Sequence, residues 1–367
     1  VSSSSPYADS GVDTHAGDRA VELMKKAVSE SHSARVIGDL GGFAGIYDAS
    51  FLTHFRHPLL TTSTDGVGTK VAIASAMDVH DTIGFDLVGM VVDDIVVVGA
   101  VPLFMTDYLA CGKVVPARVA AIVEGIARAC TQSGVSLVGG ETAEHPGLLG
   151  ADEYDVAGAA TGVVEKDDLL TSARVQEGDV VLAMASSGLH SNGFSLVRKI
   201  VADNSWSYEQ KLPDFSRELG LELLEPTRLY TAALVETWGA HPGAIHMLSH
   251  VTGGGIAQNL SRVLPEHLGV TLDRSGWSPP AVMRVLAAAG GYSLESLENT
   301  WNMGLGMIAV VAADQADTVS ATLRKQGHDV WPVGVISPAE DVSRYSPTTE
   351  AKGVRGGAVA LVGEYAS

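Results

Sequence analysis

The sequence predicts a mixed α/β fold in two domains. Apolar, β-branched runs of strand length alternate with segments of helical period in both halves of the chain. In each half a glycine-rich turn follows a strand. The length of 367 residues, with 46% apolar and 18% charged residues, suits two globular units, each large enough to bury its own core.

Taken in order, residues 1–6 form a serine-rich polar tail. Asp18 to Ser31 carries Val21, Met24 and Val28 at helical spacing, so one apolar face is expected there. Residues 39–45 are a glycine-rich loop, and 59–63 and 101–105 read as strands. The run from Leu87 to Ala100 is core-like, a buried strand or a buried helix, interrupted by Asp93 and Asp94. Pro116 opens a helix over 117–132 that Gly134 ends. A short strand over 135–138 leads into a loop with Glu141 and Glu144, and 154–164 is another strand. Charged residues 165–178 connect to a second domain that restarts with a strand at 180–185. Helices are expected from Phe194, from Pro226 and from the turn 252–255 toward Val263, with a strand at 304–311. The polar stretch Ser337 to Gly357 reads as a surface loop before a strand at 358–362. The expected divisions are thus a tail (1–6), an N-terminal domain (7–173), a C-terminal domain (174–336) and a loop with a terminal strand (337–367).

A net charge of −19 argues against a nucleic-acid or anionic-membrane partner, because neither would supply counter-charge. The two cysteines, Cys111 and Cys130, form no CxxC motif and are expected as reduced, packed thiols. The start is polar, without the apolar core of a signal peptide. Asp93, Asp94 and Pro102 make the 87–105 stretch costly to insert in a membrane. These readings point to a cytoplasmic protein.

Candidate chemistry concentrates at glycine-flanked acidic segments. An isolated Asp pair is more often a helix cap or a turn. Here Asp65-Gly-Val-Gly-Thr69-Lys70 follows a strand, and two strand-end carboxylate clusters suggest a shared Mg²⁺–phosphate site. Neither a GxxxxGK[ST] loop nor a strand–GxGxxG–helix unit occurs, which disfavours P-loop and dinucleotide-binding readings. His190, in the turn Ser186-Ser-Gly-Leu-His-Ser-Asn-Gly193, is either a packing residue or a proton carrier. Thr252-Gly-Gly-Gly255 is either a flexible cap or a phosphate-binding helix start.

Together the motifs resemble the phosphoribosylformylglycinamidine cyclo-ligase (aminoimidazole ribonucleotide synthetase) family. The superfamily signature DxxxxGAxP stands as Asp94 to Pro102. The other matching segments include Tyr7–Asp13, Gly41-Gly-Phe43, Thr64–Lys70, Asp107-Tyr108, Gly139–Glu144, Ser186–Gly193, Glu225-Pro-Thr-Arg228, Thr252–Gly255 and Asn302–Met307. Position 93 is Asp where many relatives are expected to have Asn, which adds a charge beside the presumed metal ligand. The resemblance implies a two-domain aminoimidazole ribonucleotide synthetase-like fold whose N-terminal strands pair across a homodimer. It implies ATP-driven cyclisation of formylglycinamidine ribonucleotide to aminoimidazole ribonucleotide, with release of ADP and phosphate, in purine biosynthesis. ATP would phosphorylate the formamide oxygen, and an amidine nitrogen of the same molecule would then close the ring and expel phosphate. Asp65 and Asp94 would hold Mg²⁺ on the ATP phosphates, with Glu141 the weaker metal candidate. The nucleotide would meet Gly41, Gly42, Phe43, Thr64, Gly66, Thr69 and Lys70. Lys25 and His190 would be catalytic, and Ser187, Asn192, Thr252, Gly253 and Gly254 would hold the ribose phosphate. The rival superfamily readings lack support: no reactive Cys stands by the first glycine-rich loop, and HSNG occurs together with GGETAE. A silent nucleotide-binding module would be expected to have lost one of the three metal carboxylates.

Overall fold

The computed structural model describes residues 14–38 and 41–366. The tail, the Tyr7–Asp13 segment and the loop start at Asp39 and Leu40 lie outside them. Contacts divide the chain into a first unit, 1–95 with 101–166, and a second, 96–100 with 167–367.

In the first unit, α1 (Thr14–Ser31) precedes a small antiparallel pair, β1 (Val36–Ile37) and β2 (Ile46–Tyr47). There follow β3 (Pro58–Gly66), α2 (Val71–Met77), α3 (Ile83–Val97), β4 (Val101–Cys111), α4 (Pro116–Ser133), β5 (Ser136–Glu144) and β6 (Tyr154–Glu165). The sheet order is β3-β6-β4-β5, antiparallel except for β4 and β5, which α4 joins as a parallel crossover. Pro116 opens α4 and Gly134, at φ +70°, closes it, as the sequence predicts. Leu87 and Ile95 of α3 lie over Gly158 and Gly162 of β6, so α3 covers one sheet face. The other face is only partly covered: Tyr47 packs on Phe104 with ring centroids 5.1 Å apart, while Leu60 and Tyr108 stay 64% and 43% exposed.

The run Leu87 to Ala100 is therefore helix through Val97, and Asp94 is mid-helix rather than at a strand end. Its neighbour Asp93 is fully buried while Asp94 is exposed, since successive helical residues point about 100° apart. Strand β5 also runs further than expected. Gly139 to Glu144 pair in register with Thr106 to Cys111 instead of forming a loop.

The second unit contains β7 (Val180–Ala185), α5 (Phe194–Asp203), α6 (Leu219–Leu223), α7 (Thr231–Ala240), β8 (Ile245–His250), α8 (Gly255–Ser261) and β9 (Leu268–Asp273). It continues with α9 (Ala281–Gly290), β10 (Leu305–Val311), α10 (Ala316–Lys325), β11 (Val330–Val335), β12 (Ser337–Pro338), α11 (Ala339–Ser343), β13 (Thr348–Ala351) and β14 (Val354–Val362). One antiparallel sheet runs β11-β7-β10-β8, with every residue of β10 buried. The other runs β12-β9-β14-β13, and β14 lies parallel to β9.

Two expectations are corrected here. Pro226 does not begin a helix; the chain stays irregular to Tyr230, and the Pro226 carbonyl accepts the Ser187 hydroxyl instead. The 337–357 stretch is not a plain surface loop, for it contains β12, α11 and β13, and β12 and β13 form the two edges of this sheet. Its polar composition reflects an outer sheet edge rather than the absence of structure.

Candidate active site

The first unit holds a cleft of about 570 Å³. Its apolar wall comes from the buried stripe of α1, including Ala20, Met24 and Val28, and from Leu137 and Val138 of β5. Gly41, Gly42 and Phe43 line it from the glycine-rich loop, and Thr106, Asp107, Gly140 and Glu141 line it from β4 and β5. Gly41 takes φ +104°, a conformation open to glycine, and Phe43 is wholly exposed at the loop tip. Four of the sequence-predicted residues, Gly41, Gly42, Phe43 and Glu141, are thus brought together.

Other predicted residues are placed elsewhere. Lys25 is exposed on α1, beside the cleft-lining Met24 but outside the lining itself. Thr64, Asp65 and Gly66 end β3, with the Asp65 Oδ1 accepting the Gly66 N–H at 2.7 Å. Thr69 is exposed. Lys70 is fully buried and its Nζ lies 2.7 Å from Asp86 Oδ1, itself fully buried in the first turn of α3. Register places Asp65, Gly158, Asp107 and Gly140 in one transverse row of the sheet. Asp65 is therefore roughly 10 Å, two strand spacings, from Asp107.

Among the described residues no three His, Cys, Asp or Glu side chains gather as a metal-ligand group, so Asp65, Asp94 and Glu141 do not form a cage. The donors still fit Mg²⁺, which typically takes one or two carboxylates and completes its shell with water and phosphate oxygens. Glu141, exposed on the cleft wall, meets that requirement.

Asp107 is a site residue to which the sequence reading gave no role. Its carboxyl is only 8% exposed, and burial pushes its pKa up to about 7, against a small opposing effect of its own backbone N–H. The signal was present: one aspartate inside the apolar run Leu103 to Leu109.

In the second unit, His190 is buried and adopts φ +58°, a left-handed conformation uncommon outside glycine. The Ser187 N–H donates to its Nε2 at 3.2 Å, which places the proton of the neutral ring on Nδ1. The Ser187 hydroxyl donates to Pro226 O at 2.6 Å. Both donors of Ser187 are therefore engaged, and it has none left for a phosphate in this arrangement. Gly306, in the Asn302–Met307 segment, lies where the Tyr230 hydroxyl and His190 Cε1 converge, leaving no room for a side chain. Asn302 fastens the turn, with Nδ2 donating to Gly188 O at 2.9 Å and Oδ1 accepting the Gly304 N–H at 2.9 Å. Asn192 adjoins Gly253, and Asn259 Nδ2 draws the carbonyls of Thr252 and Gly255 inward. Among the described residues nothing accepts from the Gly253 or Gly254 N–H groups. Asn192 and the Thr252–Gly254 turn are thus neighbours in this unit.

The AIR synthase related protein family models match in both halves, the N-terminal domain at residues 48–164 and the C-terminal domain at 176–346. A phosphoribosylformylglycinamidine cyclo-ligase of Shouchella clausii is 45% identical over 338 residues, covering 92% of this chain and 97% of the relative. The chain belongs to the phosphoribosylformylglycinamidine cyclo-ligase family. Solved structures share this cyclo-ligase's fold at lower identity. A thiamine-monophosphate kinase from Stenotrophomonas maltophilia has a TM-score of 0.63 at 18% identity, covering 95% of this chain and 97% of that one. The hydrogenase maturation protein HypE in complex with ATP has a TM-score of 0.59 at 17% identity, covering 89% and 87%. No helix among the described residues of the cyclo-ligase is long and apolar enough to cross a membrane.

Proposed function

We propose that this ATP-dependent cyclo-ligase stages its reaction, the closure of formylglycinamidine ribonucleotide to aminoimidazole ribonucleotide in purine biosynthesis, on the two clusters described above. The nucleotide belongs to the first unit's cleft and the ribose phosphate to the loop Thr252–Gly254 with Asn192. The observation that carries this division is the joining of the glycine-rich loop to Glu141 around one cleft. Glycines at 41 and 42 let main-chain N–H groups approach phosphate oxygens closely.

The reaction has to turn an amide oxygen into a leaving group. The γ-phosphoryl of ATP passes to that oxygen, and ADP leaves. The amidine nitrogen then forms the new C–N bond as phosphate departs with the former amide oxygen. Positioning and charge neutralisation dominate such chemistry, so the protein needs no covalent nucleophile. When bound, Mg²⁺ neutralises the phosphate charge, and Glu141 would hold it; Asp65 and Asp94 do not line this cleft. His190 anchors the 186–193 turn through Ser187 in the arrangement described. Alanine at 190 leaving turnover unchanged would remove it from the mechanism.

We also propose a homodimer joined through the partly covered face of the β3-β6-β4-β5 sheet, supported by its exposed Leu60, Val101 and Tyr108. Two buried, unpaired thiols support a cytoplasmic setting. The decisive assay supplies formylglycinamidine ribonucleotide, ATP and Mg²⁺ and measures ADP and aminoimidazole product together. Both should form, each dependent on the acceptor. ADP without the aminoimidazole would discard the substrate, and neither product from protein that still binds ATP would indicate a silent module.

A further inference from the structure

A buried carboxylate with nothing to pair with is costly, and the first unit keeps one at the back of its cleft. Asp107 stands on the helix-facing side of β4, more than nine-tenths buried. Among the described residues no hydrogen bond or ion pair to another residue ends on its carboxyl. The fold makes room for it, since a Cβ at Gly140, directly opposite on β5, would collide with Oδ1. No Lys or Arg lines the cleft, and its one imidazole, His32, is turned by Nε2 to the Leu137 carbonyl at 2.9 Å. Ala20, Met24 and Val28 on one side and Leu137 on the other are apolar, and Cys130 of α4 is a neutral thiol held protonated by burial. An apolar slot with one acceptor at its end is the complement of a flat heterocycle that carries one donor.

The geometry points to Asp107 as the residue that selects the nucleobase, its carboxyl accepting a hydrogen bond from the exocyclic amine of adenine. This rests on reading the first unit's cleft as the nucleotide site. Glu141 lines the same cleft but pairs in register with Tyr108, on the sheet face opposite Asp107, so the two acids would divide the work, Glu141 toward the phosphates and Asp107 toward the base. A base without the amine would leave the buried carboxylate facing a C–H instead of an N–H donor.

The test compares ATP with purine riboside triphosphate, which lacks only that amine, at pH 8 and with Mg²⁺ and formylglycinamidine ribonucleotide present. Wild-type protein should prefer ATP by about 10-fold or more in KM, with kcat at saturation little changed. Asp107→Ala should bring the ratio near one by raising the KM for ATP. Asp107→Asn keeps an acceptor of the same shape and should retain most of the preference, which guards against a misfolded alanine variant. A wild-type ratio in Asp107→Ala, or an equal loss for both nucleotides, would overturn the assignment. Photolabelling of wild-type protein with 8-azido-ATP separates the two levels. Label within 17–38 or 137–142 supports the cleft as the nucleotide site, whatever Asp107 does. Label only elsewhere would remove that reading and this one together.

Discussion

Asp86 and Asp107 are buried carboxylates of the same unit with opposite fates. Asp86 is matched by Lys70 at 2.7 Å, both fully buried, so removing one leaves the other charge buried without its ion-pair partner. Lys70→Met should lower unfolding free energy by about 3–5 kcal/mol in urea titration, and adding Asp86→Leu should recover most of it. A Lys70 that served only the nucleotide would instead raise the KM for ATP with stability intact. Asp107 has no such partner, and its effect on stability runs with pH. Its carboxyl loses its proton near 3.8 unfolded and near 7 folded. Between those values the folded state binds the extra proton, so stability falls as pH rises through the window. The penalty is complete above 7 and reaches at most about 4 kcal/mol. Thermal melts of wild type and Asp107→Asn from pH 4 to 8 should diverge, the wild type losing ground as pH rises. Parallel melts would mean that Asp107 is not buried as described.

Helices α3 and α4 meet at two glycines, and this close approach fixes the layer that covers the sheet. A Cβ on Gly84 would collide with the Ile126 amide and one on Gly125 with the Asp81 carbonyl. Gly84→Ala should therefore cost more than the usual surface change, about 2 kcal/mol or more, seen as a lower denaturant midpoint. The same element explains a limit on sequence reading. The run Leu87 to Val96 is buried at every position except Asp94, so α3 carries no amphipathic period. By contrast α4, with a polar side, a proline start and a glycine stop, was readable almost to the residue.

For the whole molecule, the partly covered sheet face and the C-terminal strand matter most. Leu60 lies exposed on that face, in β3, and a charge there should oppose association without disturbing the fold. Leu60→Asp should shift the mass measured by light scattering from dimer to monomer with an unchanged circular dichroism spectrum. An unchanged mass would move the proposed interface elsewhere. Strand β14 lies between β9 and β13, so its pairing partners are drawn from nearly a hundred residues earlier and from the segment just before it. The 337–357 stretch looked like a loop because β12 takes its order from the distant β9, β13 from the hairpin with β14, and its own composition is that of an edge.

By itself the sequence determined the α/β class, most strands and capped helices, the family and most of the motif residues. These rest on local period, turn chemistry and short motifs, each legible within a few residues. Only the tertiary structure decided which motif residues meet. It joined Gly41–Phe43 to Glu141 across the unit, withdrew Lys70 into an ion pair, and engaged both donors of Ser187. It also gave Asp107 a place by burying a carboxyl opposite a glycine one strand away. Burial and pairing depend on neighbours distant in sequence, and a residue's charge state and free donors follow from them.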